Sequence, residues 1–185
     1  MKELGATQPR NKGEPKMLKM SQYQVSVAAE AFATMLFAQV GLDVSVQYGA
    51  NQPEYDLIVA KGDQLFKVSV KGSQNGGWGL IQSYKKGRTY HEAIDNWAHH
   101  HKSKNVVYCL IQFKGVQLGD SPRAYLATVL EIAEQLKTQR SGHGYTSLKE
   151  NYHWARGVAK GGKDLIPSSW KFSETRAHNL LHTSG

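Results

Sequence analysis

A single cysteine, Cys109, stands in 185 residues. One thiol builds neither an internal disulfide nor a cysteine zinc cluster, so a reducing compartment is expected, most simply the cytoplasm. No apolar run approaches the roughly 20 residues of a membrane span. Residues 1–19 are polar and broken by Gly and Pro, without the apolar core of a signal peptide. A Gly-x-Ser-x-Gly elbow is missing, so a serine hydrolase has no support. The Gly72–Gly79 stretch lacks the Gly-Lys-Ser/Thr ending of a phosphate-cradling loop, and His91-Glu92-Ala93-Ile94-Asp95 is not a His-Glu-x-x-His zinc signature. The run His99-His100-His101 invites a metal reading. Consecutive helical residues point about 100° apart, however, so three in a row on a regular helix do not chelate one ion, and a solvated helix end is expected.

Lysine and arginine number 23 against 15 acids, for a net charge of +8 and a pI near 9.5. That excess favours an anionic partner, nucleic acid first. The charge is uneven along the chain. Residues 20–60 hold Glu30, Asp43, Glu54 and Asp56 and no Lys or Arg, for −4. The segments on either side, 1–19 and 61–104, carry +3 and +5, and residues 137–185 carry another +5. Carboxylates that hold a divalent cation, set among bases that hold phosphates, produce such a pattern. Local fluctuation in a short chain produces it as well. Hydrophobic residues make up 40% and charged residues 21%, which fits one folded domain of ordinary composition.

Residues 1–19 read as a flexible basic arm and 20–185 as one domain. A helix starts at Ser21, whose pairing with Gln24 fits a capping box. Its stripe is Val25, Ala29, Phe32, Leu36 and Val40, and Gly41 stops it. Strands follow at Val44–Tyr48, Tyr55–Ala60 and Leu65–Lys71, with a Gly49–Pro53 loop and a Lys61-Gly62-Asp63 turn between them. In the third strand Phe66, Val68 and Val70 share one face, and Lys67, Ser69 and Lys71 the other. Tyr90–Lys102 reads as a helix with Ile94, Trp97 and Ala98 inward. Asn105–Phe113 reads as a buried strand, Arg123–Thr128 as another, and Val129–Gln139 as a helix with Leu130, Ala133 and Leu136 in register. From about 140 the pattern turns irregular, basic and aromatic, and then closes on a short terminal helix. The order α-β-β-β-α-β-β-α predicts an α/β fold with a mixed central sheet.

The segments Pro53-Glu54-Tyr55-Asp56-Leu57-Ile58-Val59 and Phe66-Lys67-Val68-Ser69-Val70-Lys71-Gly72 carry the chemistry. A carboxylate opens one strand and a lysine closes its antiparallel neighbour, so the hairpin brings Asp56 and the Ser69–Lys71 end to one edge. Asp56 suits a hard divalent metal, and Lys71 suits a water or a developing phosphoryl charge. Here the chain resembles the PD-(D/E)XK, or restriction-endonuclease-like, nucleases, a superfamily that includes archaeal Holliday junction resolvases. The resemblance covers about residues 22–113. It implies a core order α-β-β-β-α-β, Mg²⁺ (with Mn²⁺ as substitute), and hydrolysis of DNA. It also implies roles: Asp56 as main metal ligand, Glu30 on the first helix as a supporting carboxylate, and Lys71 as the base that orients water. The acid of the family's acid-x-Lys is Ser69 in this chain. Glu30, Glu54 or Gln74 are the side chains placed to compensate. The alternative is an inactive domain of the same fold that binds nucleic acid or serves an assembly.

Further bases and aromatics suit a nucleic-acid backbone, DNA ahead of RNA. Lys67, Gln74 and a stacking Trp78 lie near the hairpin end, and Lys85, Lys86 and Arg88 lie in a basic-aromatic strip. Tyr145, Tyr152, Trp154, Arg156, Lys160 and Lys163 form a second such region, suited to binding or to packing onto the core. Cys109 sits in an apolar strand and reads as core. A homodimer would suit cleavage of both strands, yet no dimer surface is legible.

Overall fold

The computed structural model describes residues 19–47, 54–102 and 105–183. The expected basic arm up to residue 18 lies outside them, as do Tyr48 and the loop 49–53. Helix α1 spans Gln22–Gln39. Its capping box forms as expected: the Gln24 N–H donates to Ser21 Oγ at 3.2 Å, and the Ser21 N–H donates to Gln24 Oε1 at 2.8 Å. Strands β1 (Asp43–Val46), β2 (Leu57–Lys61) and β3 (Gln64–Ser73) make an antiparallel meander. A short strand β4 (Gly77–Gly79) and helix α2 (Tyr90–Lys102) lead to β5 (Val106–Gln112). Strand β6 (Arg123–Thr128) passes directly into α3 (Val129–Thr138), whose Thr128–Glu131 capping box turns the chain. Three short strands follow, β7 (Ser147–Lys149), β8 (Asn151–His153) and β9 (Lys163–Leu165), and then α4 (Glu174–Thr183).

The main sheet is mixed, ordered β1-β2-β3-β5-β6, with β3 and β5 its parallel pair. All seven residues of β5 are buried, because helices cover both faces of the sheet. On one face Phe66, Val68, Cys109 and Leu126 pack with Phe37 of α1 and Leu180 of α4. On the other, Tyr108, Leu110 and Tyr125 pack with Trp97 of α2 and Ile132 of α3. An α/β fold with a mixed sheet flanked by helices is therefore what the chain forms.

Several details differ from the sequence expectation. The buried stripe of α1 is Val25, Ala29, Ala33 and Phe37. Leu36 is only half-buried, because a helix apolar on most sides leaves its inward face to be chosen by the sheet it meets. In α3 Leu130 is exposed, and Val129, Ile132, Ala133 and Leu136 are buried. The Gly-rich stretch holds β4, which pairs with β7. The region from 140 is likewise not wholly irregular, since β8 and β9 form a hairpin within it. Such three-residue strands carry too little periodicity to be read from sequence.

Candidate functional site

The β2–β3 ladder ends at the pair Leu57 and Val68. One step further, the Asp56 N–H donates to the Val68 carbonyl at 2.8 Å, and its side chain takes over from the backbone. Asp56 Oδ2 accepts the Val70 N–H at 2.6 Å and sits 3.5 Å from the Ser69 hydroxyl. The strands part there, and the carboxylate satisfies a β3 donor that has lost its strand partner. Among the described residues no hydrogen bond uses the other oxygen, Oδ1.

Glu30 comes to the same place from α1. It is half-buried, and among the described residues no hydrogen bond holds its carboxylate. Burial pushes its pKa up, the Asp56 charge pushes it further, and Lys71 pulls it down. So Glu30 of α1, Asp56 just ahead of β2 and Lys71 of β3 interact electrostatically. Close approach of α1 makes this meeting geometrically possible. A Cβ at Gly72 would lie 2.7 Å from Val25 Cγ1 and 2.8 Å from the Val25 carbonyl oxygen, so only glycine lets the helix cross β3 at that point. Lys71 itself is exposed, and no described carboxylate lies within ion-pair distance of its ammonium. Ser69 is 2% exposed and faces Asp56.

A groove of about 470 Å³ opens beside Lys71. Gln22 and Ser26 of α1, Ser73 to Asn75, and Gln82 line it, a neutral polar wall rich in hydrogen-bonding groups. Gln74 is part of that wall, but its amide clamps the chain ahead of α1: Nε2 donates to the Met20 carbonyl at 2.6 Å, and Oε1 accepts the Met20 N–H at 3.1 Å. It does not reach Asp56 as a stand-in ligand. Trp78 is 2% exposed, with its indole N–H donated to the Lys71 carbonyl at 2.8 Å. Its ring belongs to the core and is not available to stack on a base, a correction that follows from the pairing of β4 with β7.

Glu54 also departs from the expected carboxylate group. Its Oε1 lies 3.8 Å from His100 Nε2, and its Oε2 lies 3.5 Å from His101 Nδ1. His101 turns its other nitrogen, Nε2, to the Tyr84 hydroxyl at 3.4 Å. The three histidines therefore do not end as one solvated group. His100 and His101 rings lie 5.1 Å apart and meet Glu54 from a different part of the chain. Burial raises the Tyr108 pKa, and the charges of Glu54, Tyr84 and Asp56 raise it further.

The basic strip is partly folded on itself. Lys85 donates to the Arg88 carbonyl and lies over the Tyr90 ring at 4.8 Å, and Arg88 donates to the Tyr84 carbonyl at 3.2 Å. Lys86 is exposed, and Lys67 lies over Tyr55 at 5.3 Å. The second basic-aromatic region packs around a residue that sequence reading passed over. The Arg140 guanidinium lies 5.1–5.4 Å from the rings of Tyr90, Tyr145 and Trp154. Its φ of +56° begins a sharp turn that no Gly or Asn announces at that position. Arg156, Lys160 and Lys163 stay exposed.

Compared with models of known protein families and with curated proteins, the chain matches none. No helix among the described residues is long and apolar enough to cross a membrane.

Proposed function

We propose that this chain is a metal-dependent endonuclease of restriction-endonuclease-like fold that hydrolyses phosphodiester bonds in DNA. The observation that carries the reading is Asp56 where β2 and β3 part, its Oδ2 accepting the Val70 N–H beside Ser69 and one residue before Lys71, with the half-buried Glu30 of α1 feeling its charge. The order of α1, the β1–β3 meander, α2 and the parallel β5 supports it, as that is the core the resemblance implies. The donor set fits Mg²⁺. Glu30 is half-buried, has no hydrogen-bond partner among the described residues and feels the Asp56 charge, and a hard divalent cation relieves that repulsion. Asp56 and Glu30 would hold the ion, which when bound supplies charge neutralisation and an acidified water. The Lys71 ammonium orients the attacking water and steadies charge on the phosphoryl oxygens. The groove beside it takes the backbone through neutral donors, and exposed Lys86 adds positive charge outside it.

A second reading rests on Ser69. It stands where the family has an acid, is buried, and spends its hydroxyl toward an Asp56 oxygen already bonded to the Val70 N–H. With one ligand fewer, the domain would bind DNA without cutting it. Cleavage assays on supercoiled, linear, branched and single-stranded DNA decide between the two. With Mg²⁺ or Mn²⁺ the wild type is expected to nick, chelator to abolish nicking, and Lys71→Ala to lower the rate at least about 100-fold. Salt-sensitive binding with every substrate intact would select the second reading. Absence of both cleavage and binding would remove nucleic acid as the partner and leave an α/β interaction protein.

A further inference from the structure

We propose that Glu54, His100 and His101 form a separate site for a divalent transition-metal ion, Zn²⁺ first. One carboxylate oxygen and two imidazole nitrogens from these residues all lie within 4.8 Å of one another. Two ligand atoms sharing a tetrahedral Zn²⁺ at about 2.1 Å stand about 3.4 Å apart. Each imidazole meets its own Glu54 oxygen, His100 Nε2 at 3.8 Å from Oε1 and His101 Nδ1 at 3.5 Å from Oε2, so small side-chain rotations bring the three ligands to that spacing. Imidazole with carboxylate suits Zn²⁺ and its neighbours and is a poor set for Mg²⁺, which takes oxygen.

The surroundings support a ligand role for His101. Its Nε2 meets the Tyr84 hydroxyl at 3.4 Å, and in the tautomer with the proton on Nε2 the Nδ1 lone pair is directed toward Glu54. A metal-bound histidine usually spends its other ring nitrogen in this way. The His101 ring is also held, with its centroid 5.3 Å from that of Trp97 in the core. Neighbouring helical positions reach one point because the two long side chains leave the last turn of α2 and fold toward the segment ahead of β2. His99 takes no part in the cluster. Two exposed ligands, Glu54 and His100, leave the site open to solvent, so water completes the shell.

The consequence is a tie between the end of α2 and Glu54, two residues before Asp56. An ion there anchors the segment that delivers Asp56, without touching the Glu30–Asp56 pair. The site stands independently of nuclease activity, and its test reads metal rather than cleavage.

Co²⁺ is titrated into the full chain and followed by visible absorption, with Zn²⁺ competition and thermal unfolding alongside. With Mg²⁺ in excess to fill the Glu30–Asp56 pair, one equivalent is expected to bind with a d–d band, to be displaced by Zn²⁺, and to raise Tm. Glu54→Gln and His101→Ala are each expected to weaken binding at least about 100-fold, and Tyr84→Phe about tenfold. His99→Ala and Glu30→Gln are expected to bind as the wild type does, the first excluding casual binding to a histidine run and the second excluding the carboxylate pair. Circular dichroism confirms that each variant is folded. Lack of stoichiometric binding by the wild type would overturn the proposal. So would binding that survives in Glu54→Gln and His101→Ala, or binding lost in Glu30→Gln or His99→Ala.

Discussion

Glu30 is a half-buried acid whose pKa burial and the Asp56 charge hold above the usual 4.5. When the folded-state value is the higher one, the proton favours folding. That contribution is fully present below the unfolded value and is lost as pH rises through the raised one. Where it is ionised, Glu30 therefore costs stability, a cost that the proposed metal site would account for. Glu30→Gln is expected to match the wild type at acid pH and to unfold at a slightly higher temperature at neutral pH. Added Mg²⁺ should raise the wild-type Tm and raise that of the variant less. Thermal melts across a pH series, with and without Mg²⁺, check both; a lower Tm for the variant at neutral pH would mean that the carboxylate is a structural hydrogen-bonding group.

The crossing of α1 over β3 brings the residues of the candidate site to one part of the fold. Val25 and Ala29 lie against the Gly72 backbone, and Glu30, next in sequence, feels the Asp56 charge. Gly72→Ala puts a methyl group 2.7–2.9 Å from the Val25 and Ala29 atoms, and one of those contacts is a backbone oxygen that does not rotate away. Overpacking of this kind costs about 1–3 kcal/mol. The urea midpoint is expected to fall accordingly, and α1 must move to fit. Since Glu30 rides on α1, the Mg²⁺-dependent rise in Tm should shrink as well. A Gly72→Ala protein with wild-type stability would show that α1 yields easily and that its position is loosely held.

At the scale of the whole molecule, α4 closes the sheet face that α1 begins. Arg176 donates to the Leu126 carbonyl at 3.2–3.3 Å and to both oxygens of Glu131 at 2.6–2.7 Å, joining α4, β6 and α3. His178 meets the carbonyl of Val40, beyond the end of α1, at 3.1 Å. Hydrogen bonds to charged groups are worth about 1.5–3 kcal/mol, and Arg176→Ala is expected to lose about that much in urea unfolding. Burial raises the Glu131 pKa, but its bonds from Arg176 and Thr128 outweigh that, and the carboxyl lies below its ordinary value. Its stabilising contribution is present above the unfolded pKa and is lost as pH falls through the lowered one. Stability of the wild type should therefore fall more steeply in acid than that of Glu131→Gln, as urea midpoints over a pH series would show.

Local pattern was enough for much of the frame. Tyr90–Lys102 and Arg123–Thr128 form over the residues that their periodicity marks, and the Ser21–Gln24 box caps α1 as spaced. Such elements depend on neighbours within a few positions, and a sequence displays those directly. The hairpin that carries Asp56 and Lys71 was legible for the same reason, as alternation and a turn set its register. Packing between distant segments decided the remainder. Nearly uniform apolarity left the inner face of α1 undetermined until the sheet took Phe37 in place of Leu36. The pairing of β4 with β7 drew Trp78 into the core, and the turn after α3 set Arg140 among three aromatic rings. The meeting of Glu54 with His100 and His101 joins residues more than forty positions apart. No local periodicity encodes such contacts, because they exist only once both faces of the sheet are covered.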